Sequence, residues 1–253
     1  MSTVVREREQ GPAPDRQDER PRRPHLFPEF LLVAAVYMAY TLGRFAATKH
    51  PDGSYVHAHH VWDLERWLHL PNEATVQQSL LGWQHVMDLA NLHYQVGYVV
   101  SVVGSLVWLY VWHPEHYIWY RRFLTLVTFI GLIGHILFPM APPRLLAGDN
   151  VVDSALVFGH GVYGPVGTGL SNQFAAMPSL HVGWAVVCAV GVIVVLRTPW
   201  RWLAVLHPVL TLLVVVVTGN HFWMDGIVAG LIVAVAGAVA VAWLPEGKPA
   251  YAP

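Results

Sequence analysis

Long apolar runs separated by short polar breaks dominate the chain. Uncharged stretches extend over Leu92 to Trp112, Phe123 to Met140, Val182 to Leu196, Trp202 to Thr218 and Gly226 to Leu244, to be compared with the ~20 residues that cross a bilayer core as a helix. Val182 to Leu196 approaches that length only if Leu180 and His181 extend it. Phe30 to Thr48 adds a sixth run, provided that Arg44, which interrupts it, snorkels toward the interface. The pattern predicts an all-α fold, a six-helix transmembrane bundle. Between the first two runs the pattern turns amphipathic. Val61, Leu64 and Leu68 recur at helical spacing beside Asp63, Glu65 and Arg66, and Asn72 caps a second stretch with Val76, Leu80, Trp83, Met87 and Ala90 on one stripe. These helices either lie as interfacial helices on the outer membrane surface and roof a site there, or pack as ordinary helices on the bundle.

Composition agrees with membrane insertion and excludes an ordinary soluble domain: 55% of residues are hydrophobic and 12% charged, and the charges fall in clusters. Residues 1–25, charged and rich in proline, read as a disordered cytoplasmic tail; 26–245 form the transmembrane domain and 246–253 a short C-terminal tail. The first apolar run starts too late, at Phe30, and is followed by Arg44, which argues against a cleaved signal peptide. With the N-terminus inside, the inner segments hold Arg6, Arg8, Arg16, Arg20, Arg22, Arg23, Arg121, Arg122, Arg197, Arg201 and Lys248, and the outer ones only Arg44, Lys49, Arg66 and Arg144. That asymmetry sets the orientation. Aromatic clusters at Trp108 to Tyr120 and at Trp200 and Trp202 mark the same inner interface. The lone Cys188 excludes an intrachain disulfide, and two lysines against thirteen arginines suggest a GC-rich bacterial genome, hence a bacterial plasma membrane.

Histidines in apolar surroundings are costly unless solvated, paired or used. His181 closes Met177-Pro178-Ser179-Leu180-His181, and His221 opens His221-Phe222-Trp223-Met224-Asp225; both fall at the predicted outer ends of apolar runs. Asp225, four residues after His221, would lie one helical turn along the same face and could hold the imidazole's tautomer. The loop from Ala141 to Met177 is long enough to be a lid or binding element, and it begins Ala141-Pro142-Pro143-Arg144. Arg144, stiffened by two prolines, reads either as an anion clamp or as an interfacial anchor.

Ala141-Pro-Pro-Arg144, Pro178-Ser-Leu-His181 and His221-x-x-x-Asp225 resemble the three signature segments of the type 2 phosphatidic acid phosphatase superfamily. The Pro-Pro-Arg form and Leu180 in the second segment look most like its inositolphosphorylceramide-synthase branch. The resemblance covers roughly residues 30–244. It implies a six-helix membrane phosphatase or phosphotransferase acting on a lipid-linked phosphate at the outer face. His221 would be the nucleophile that forms a phosphohistidine, Asp225 its orienting group, and His181 the general acid and base. Ser179 and Arg144 would bind phosphoryl oxygens, with no metal and no cofactor. The transferase alternative moves an inositolphosphoryl or similar phosphodiester head group to a lipid acceptor. Such chemistry needs positioning and charge neutralisation above all. The chain departs from the wider superfamily at a lysine and a Ser-Arg pair, where it has Leu137, Val214 and Val215. Thr218, Asn220 or the loop, or else Arg44, Lys49 or Arg66, would have to compensate.

The remaining polar residues have plainer readings. Asp153 and His160 are solvated loop residues or handle the acceptor. His57, His59 and His60 fit a wet interfacial loop better than a metal site, since no cysteine or spaced carboxylate set completes one. His135 and His207 read as hydrogen-bonded core residues. Two rivals from other classes are a haem or metal carrier, which would pair histidines at matching depths, and a transporter, which would carry internal repeats.

Overall fold

A computed structural model describes residues 23–47, 53–146, 150–159 and 173–242, with side chains in the first segment described to Gly43. The N-terminal tail to residue 22, the side chain of Arg44, Lys49, His160 and the C-terminal tail lie outside the described residues.

Those residues are all-α. In chain order come α1 (Leu26–Ala47), α2 (Ser54–Trp67), α3 (Glu73–Leu81), α4 (Gln84–Leu92), α5 (Tyr98–Trp112), α6 (Pro114–Leu137), α7 (Ser154–Phe158), α8 (Leu180–Val195), α9 (Leu206–Val217) and α10 (Trp223–Ala242). One π-helical turn, His93–Gly97, joins α4 to α5, and a 3-10 stretch, Pro199–Val205, leads into α9. Five segments are long and apolar enough to cross a membrane: Leu26–Gly43, Gln84–Trp112, Pro114–Leu137, Pro199–Val217 and Trp223–Ala242. α8 is apolar but shorter.

Two boundaries differ from expectation. The stretch from Asn72 to Ala90 is not one helix: it breaks at Gly82 and Trp83, and α4 runs on through the π turn into α5. Trp83 is therefore exposed, while Met87 and Ala90 are buried. Helix α6 begins at Pro114, so Arg121 and Arg122 sit within its early turns. Proline suits a first turn because the missing amide has no partner there. Arg121 pairs with Glu29 of α1, which also accepts from Tyr117, so the polar groups at this end satisfy one another.

Helix α8 is the hub, packed by α5, α6, α9 and α10. Its Trp184 and Val187 share one apolar core with Tyr120, Phe123 and Val127 of α6 and Val233 and Ala236 of α10. Close packing of backbones supplies cohesion where lipid tails compete equally for apolar surface. Gly131 and Gly134 of α6 show this: a Cβ there would lie 2.4 Å from Leu180 and 2.7 Å from Pro178. The Pro178–His181 segment is thereby pressed against α6. His135, one residue on, meets the Pro178 carbonyl through Nε2 at 2.8 Å, as a hydrogen-bonded core histidine should. His207 differs, since its Nε2 is buried without a partner among the described residues.

Candidate active site

Backbone bonds stitch the three motif segments together before any side chain acts. Met140, just ahead of Ala141, forms an isolated parallel bridge with Ala175: its amide donates to the Phe174 carbonyl at 2.8 Å, and its carbonyl accepts from Ala176 at 3.2 Å. The Arg144 amide donates to Gly219 at 3.0 Å, and the Ser179 amide donates to the carbonyl of Asp225 at 3.1 Å. Gly219 is obligatory at that junction, with φ +71 and an added Cβ 2.9 Å from Val151 and 3.2 Å from the Arg144 Cβ. Segments separated by up to about eighty residues thus share one end of the bundle.

His221, Asp225, His181, Ser179 and Arg144 converge there. The His221 Nδ1 lies 2.8 Å from the Ala176 carbonyl and 3.0 Å from Asp225 Oδ2. A carbonyl can only accept, so Nδ1 carries the proton and Nε2 keeps the lone pair. Asp225 Oδ2 also accepts from the Phe222 amide at 2.9 Å, closing the first turn of α10. Burial drives the His221 pKa down to about 3; Arg144 acts in the same direction and the Ala176 carbonyl opposes it. The imidazole is neutral at any physiological pH.

His181 stands beside it, ring centroids 5.8 Å apart. Tyr94 stacks on His181 at 4.4 Å and Tyr98 meets it edge-on at 4.8 Å. The Tyr94 carbonyl is also within hydrogen-bond reach of the imidazole. The π turn makes this possible, since a register shift of one residue takes carbonyls out of the regular i to i+4 ladder. Gly97 permits the turn because a Cβ would lie 2.7 Å from His93 Nδ1.

Arg144 is buried and its Nε donates to Asp153 Oδ2 at 3.1 Å. Asp153 therefore fixes the guanidinium as well as capping α7 through Oδ1. Ser179 is wholly buried and caps α8, its Oγ accepting from Val182 at 3.4 Å. Asn220 bonds Thr218 Oγ1 through Nδ2 at 2.9 Å, and its buried Oδ1 has no partner among the described residues. Leu137 is exposed, while Val214 and Val215 are buried. Arg66 does not reach over the site: it bonds Glu73 at 3.1 Å and the Pro71 carbonyl at 3.1 Å.

Several contributors carry no sequence signal. Glu65 and Glu73 are both buried, and Glu65 Oε1 accepts from the Met224 amide of α10 at 2.7 Å. Burial, followed by the shared contact with Glu73, pushes the Glu65 carboxyl up to about 9. Gln77 reaches Val152 and Val217 through Nε2 at 2.8 Å and 3.0 Å, tying the loop beside Arg144 to the end of α9. His57 bonds the Pro139 carbonyl at 2.8 Å and stacks on Phe138. Among the described residues no group of three or more His, Cys, Asp or Glu could hold a metal ion.

What such a cluster can do chemically is present a neutral, oriented imidazole beside a second imidazole and a buried cation. No curated protein and no solved structure matches the chain. A family model, that of the PAP2 superfamily, matches residues 59–240, a range that includes every residue of the cluster. The chain belongs to the PAP2 superfamily of lipid phosphatases and phosphotransferases.

Proposed function

We propose that this membrane phosphatase-type enzyme transfers the phosphoryl group of a lipid phosphate through a phosphohistidine on His221. The observation that carries the reading is the double acceptance of Nδ1–H by Ala176 and Asp225, which leaves Nε2 as the attacking lone pair. In the first step a bond forms from Nε2 to phosphorus while the phosphorus–oxygen bond to the lipid breaks, and His181 gives its proton to the leaving oxygen. In the second step water or an alcohol attacks phosphorus, its proton returns to His181, and the bond to Nε2 breaks. Asp225 stabilises the positive charge that develops on His221. Arg144 and the Ser179 hydroxyl meet the phosphoryl oxygens, and the unpartnered Asn220 Oδ1 supports a polar substrate group beside them.

In this reading α8 is a sixth span, α2 and α3 lie at the membrane interface, and the cluster faces outward. Arg197 and Arg201 follow the end of α8 opposite His181, and Arg121 lies near the end of α6 opposite His135; basic residues favour the cytoplasmic side. A second reading, head-group transfer as in the inositolphosphorylceramide-synthase branch, is favoured by Pro142-Pro143-Arg144 and by Leu180. Purified protein in detergent, given lipid phosphates and phosphodiesters with and without alcohol acceptors, separates the two. Phosphate release in EDTA supports the first reading, and strict dependence on added magnesium rejects the metal-free mechanism.

A further inference from the structure

Of the two imidazoles in the cluster, only His221 has a carboxylate partner among the described residues. His181 must carry a positive charge before it can protonate the leaving oxygen, and it becomes positive again when it takes the proton of water or an alcohol. A charge withdrawn from water needs a partner or a dipole to meet it. Besides tyrosines, the titratable groups around His181 among the described residues are His221, His93 and His135, with His207 lining a small void that His181 also lines. All are imidazoles, and none can neutralise a cation.

What meets His181 instead is aromatic. Tyr94 stacks on it with centroids 4.4 Å and planes 26° apart, and Tyr98 meets it edge-on at 4.8 Å and 82°. Both distances fall within the ~6 Å over which an aromatic ring attracts a cation, and the attraction grows where water is excluded. Tyr94 is buried, and its carbonyl lies within hydrogen-bond reach of the imidazole. A protonated ring gives that carbonyl a stronger bond than a neutral one.

Both tyrosines are braced. The π turn His93–Gly97 carries Tyr94 and leads into Tyr98. His93 anchors the turn to α9: the Thr211 hydroxyl gives its hydrogen to the His207 carbonyl at 2.9 Å, so Thr211 Oγ1 accepts from His93 Nε2 at 3.4 Å. Tyr98 stacks on Trp184 at 5.3 Å, and Trp184 Nε1 donates to Thr128 Oγ1 at 2.9 Å. Rings held in this way need no rearrangement when the charge appears.

We propose that Tyr94 and Tyr98 are positioning residues for proton transfer, an aromatic cage that stabilises protonated His181 and does for the general acid what Asp225 does for the nucleophile. This rests on the phosphohistidine reading, in which the His181 proton passes to the oxygen whose bond to phosphorus breaks. The nitrogen facing the Tyr94 carbonyl keeps its hydrogen, while the other gives its proton away and later recovers one.

The test uses full-length protein in nanodiscs with phenylalanine or its mono-, di- or trifluorinated forms at residue 94, a series that keeps the ring's shape while draining its π face of charge. Each variant is assayed by kcat/KM, which reports phosphoenzyme formation, on dodecyl phosphate, whose leaving alkoxide needs a proton, and on dinitrophenyl phosphate, whose leaving group does not. Relative to Tyr94→Phe, the rate on dodecyl phosphate should fall stepwise with fluorine, by at least about tenfold over the series, and the rate on the aryl ester should stay within about threefold. Tyr94→Leu and Tyr98→Leu, which keep apolar bulk without a π face, should show the same split, and their aryl-ester activity reports an intact fold. Equal loss on both esters, or a dodecyl phosphate rate indifferent to fluorine, overturns the cage. So does a loss in Tyr94→Phe as large as that in Tyr94→Leu, which would assign the role to the hydroxyl. His181→Ala protein that cleaves dodecyl phosphate at the wild-type rate would instead reject the phosphohistidine reading, whatever the fluorinated series shows.

Discussion

The Glu65 carboxyl group accepts a hydrogen bond from the Met224 amide, 2.7 Å away, one residue before Asp225. This contact seats α2 on the first turn of α10, and Trp223 reinforces it by donating from Nε1 to the Pro71 carbonyl at 2.8 Å. Free amides at a helix start need acceptors, and here one comes from a different helix. Glu73 and Arg66 complete the group, so the α2–α3 hairpin holds the segment that carries both His221 and Asp225.

Glu65 should make stability fall as pH rises. Its carboxyl sits near 9 in the folded protein against an ordinary 4.5, so between those values the folded chain holds a proton that the unfolded chain has released. Stability from this group is complete below about pH 4.5 and is lost through about pH 9. Glu65→Gln, which keeps an acceptor for Met224 and a donor for Glu73, should flatten this dependence in thermal inactivation curves. Glu65→Ala should cost about 1–3 kcal/mol by leaving the Met224 amide unpaired.

His221 should contribute the opposite slope. Its pKa of about 3 lies below the ordinary 6.5, so its contribution is present above pH 6.5 and is lost as pH falls toward 3. Histidine-selective nitrogen NMR should show a neutral His221 ring, protonated on Nδ1, down to about pH 5. A ring that titrates near 6.5 would contradict its burial.

Substitution should divide the labour between the histidines. His221→Ala is expected to abolish turnover and covalent labelling together. His181→Ala should stop turnover of ordinary esters, yet with a leaving group that needs no proton it should accumulate phosphoenzyme, trapped by rapid quench. Phosphoenzyme in His221→Ala but not in His181→Ala would reverse the assignment.

Asp225→Asn should be slow rather than dead. The Ala176 carbonyl still holds Nδ1–H, while the charge that stabilises the imidazolium is lost, so kcat should drop by about 10²- to 10⁴-fold. A variant as active as wild type would show that the charge does nothing.

Cysteines at Leu156 and Thr198, in a Cys188→Ser background, should react with an impermeant thiol reagent from opposite sides of the membrane. Leu156 is exposed on α7 beside the cluster, and Thr198 follows the far end of α8. Reaction of Leu156→Cys only from the cytoplasmic face would invert the orientation.

The apolar runs, the i to i+4 pairing of His221 with Asp225 and the three motif segments were legible along the chain, because helix periodicity and hydrophobic length are one-dimensional properties. Helix ends were less so: the early start of α6 and the break at Gly82 depend on capping and packing that hydropathy does not register. The partners across elements were invisible. Nothing along the chain tells that Ala176 accepts from His221, that Asp153 fixes Arg144, that Glu65 caps α10, or that a π turn stacks Tyr94 on His181. Sequence determined which groups are available and at which ends of the apolar runs they fall. Only the tertiary structure decided which of them touch, because burial without water forces each polar group to take its partner from whichever backbone or side chain the packing brings within reach.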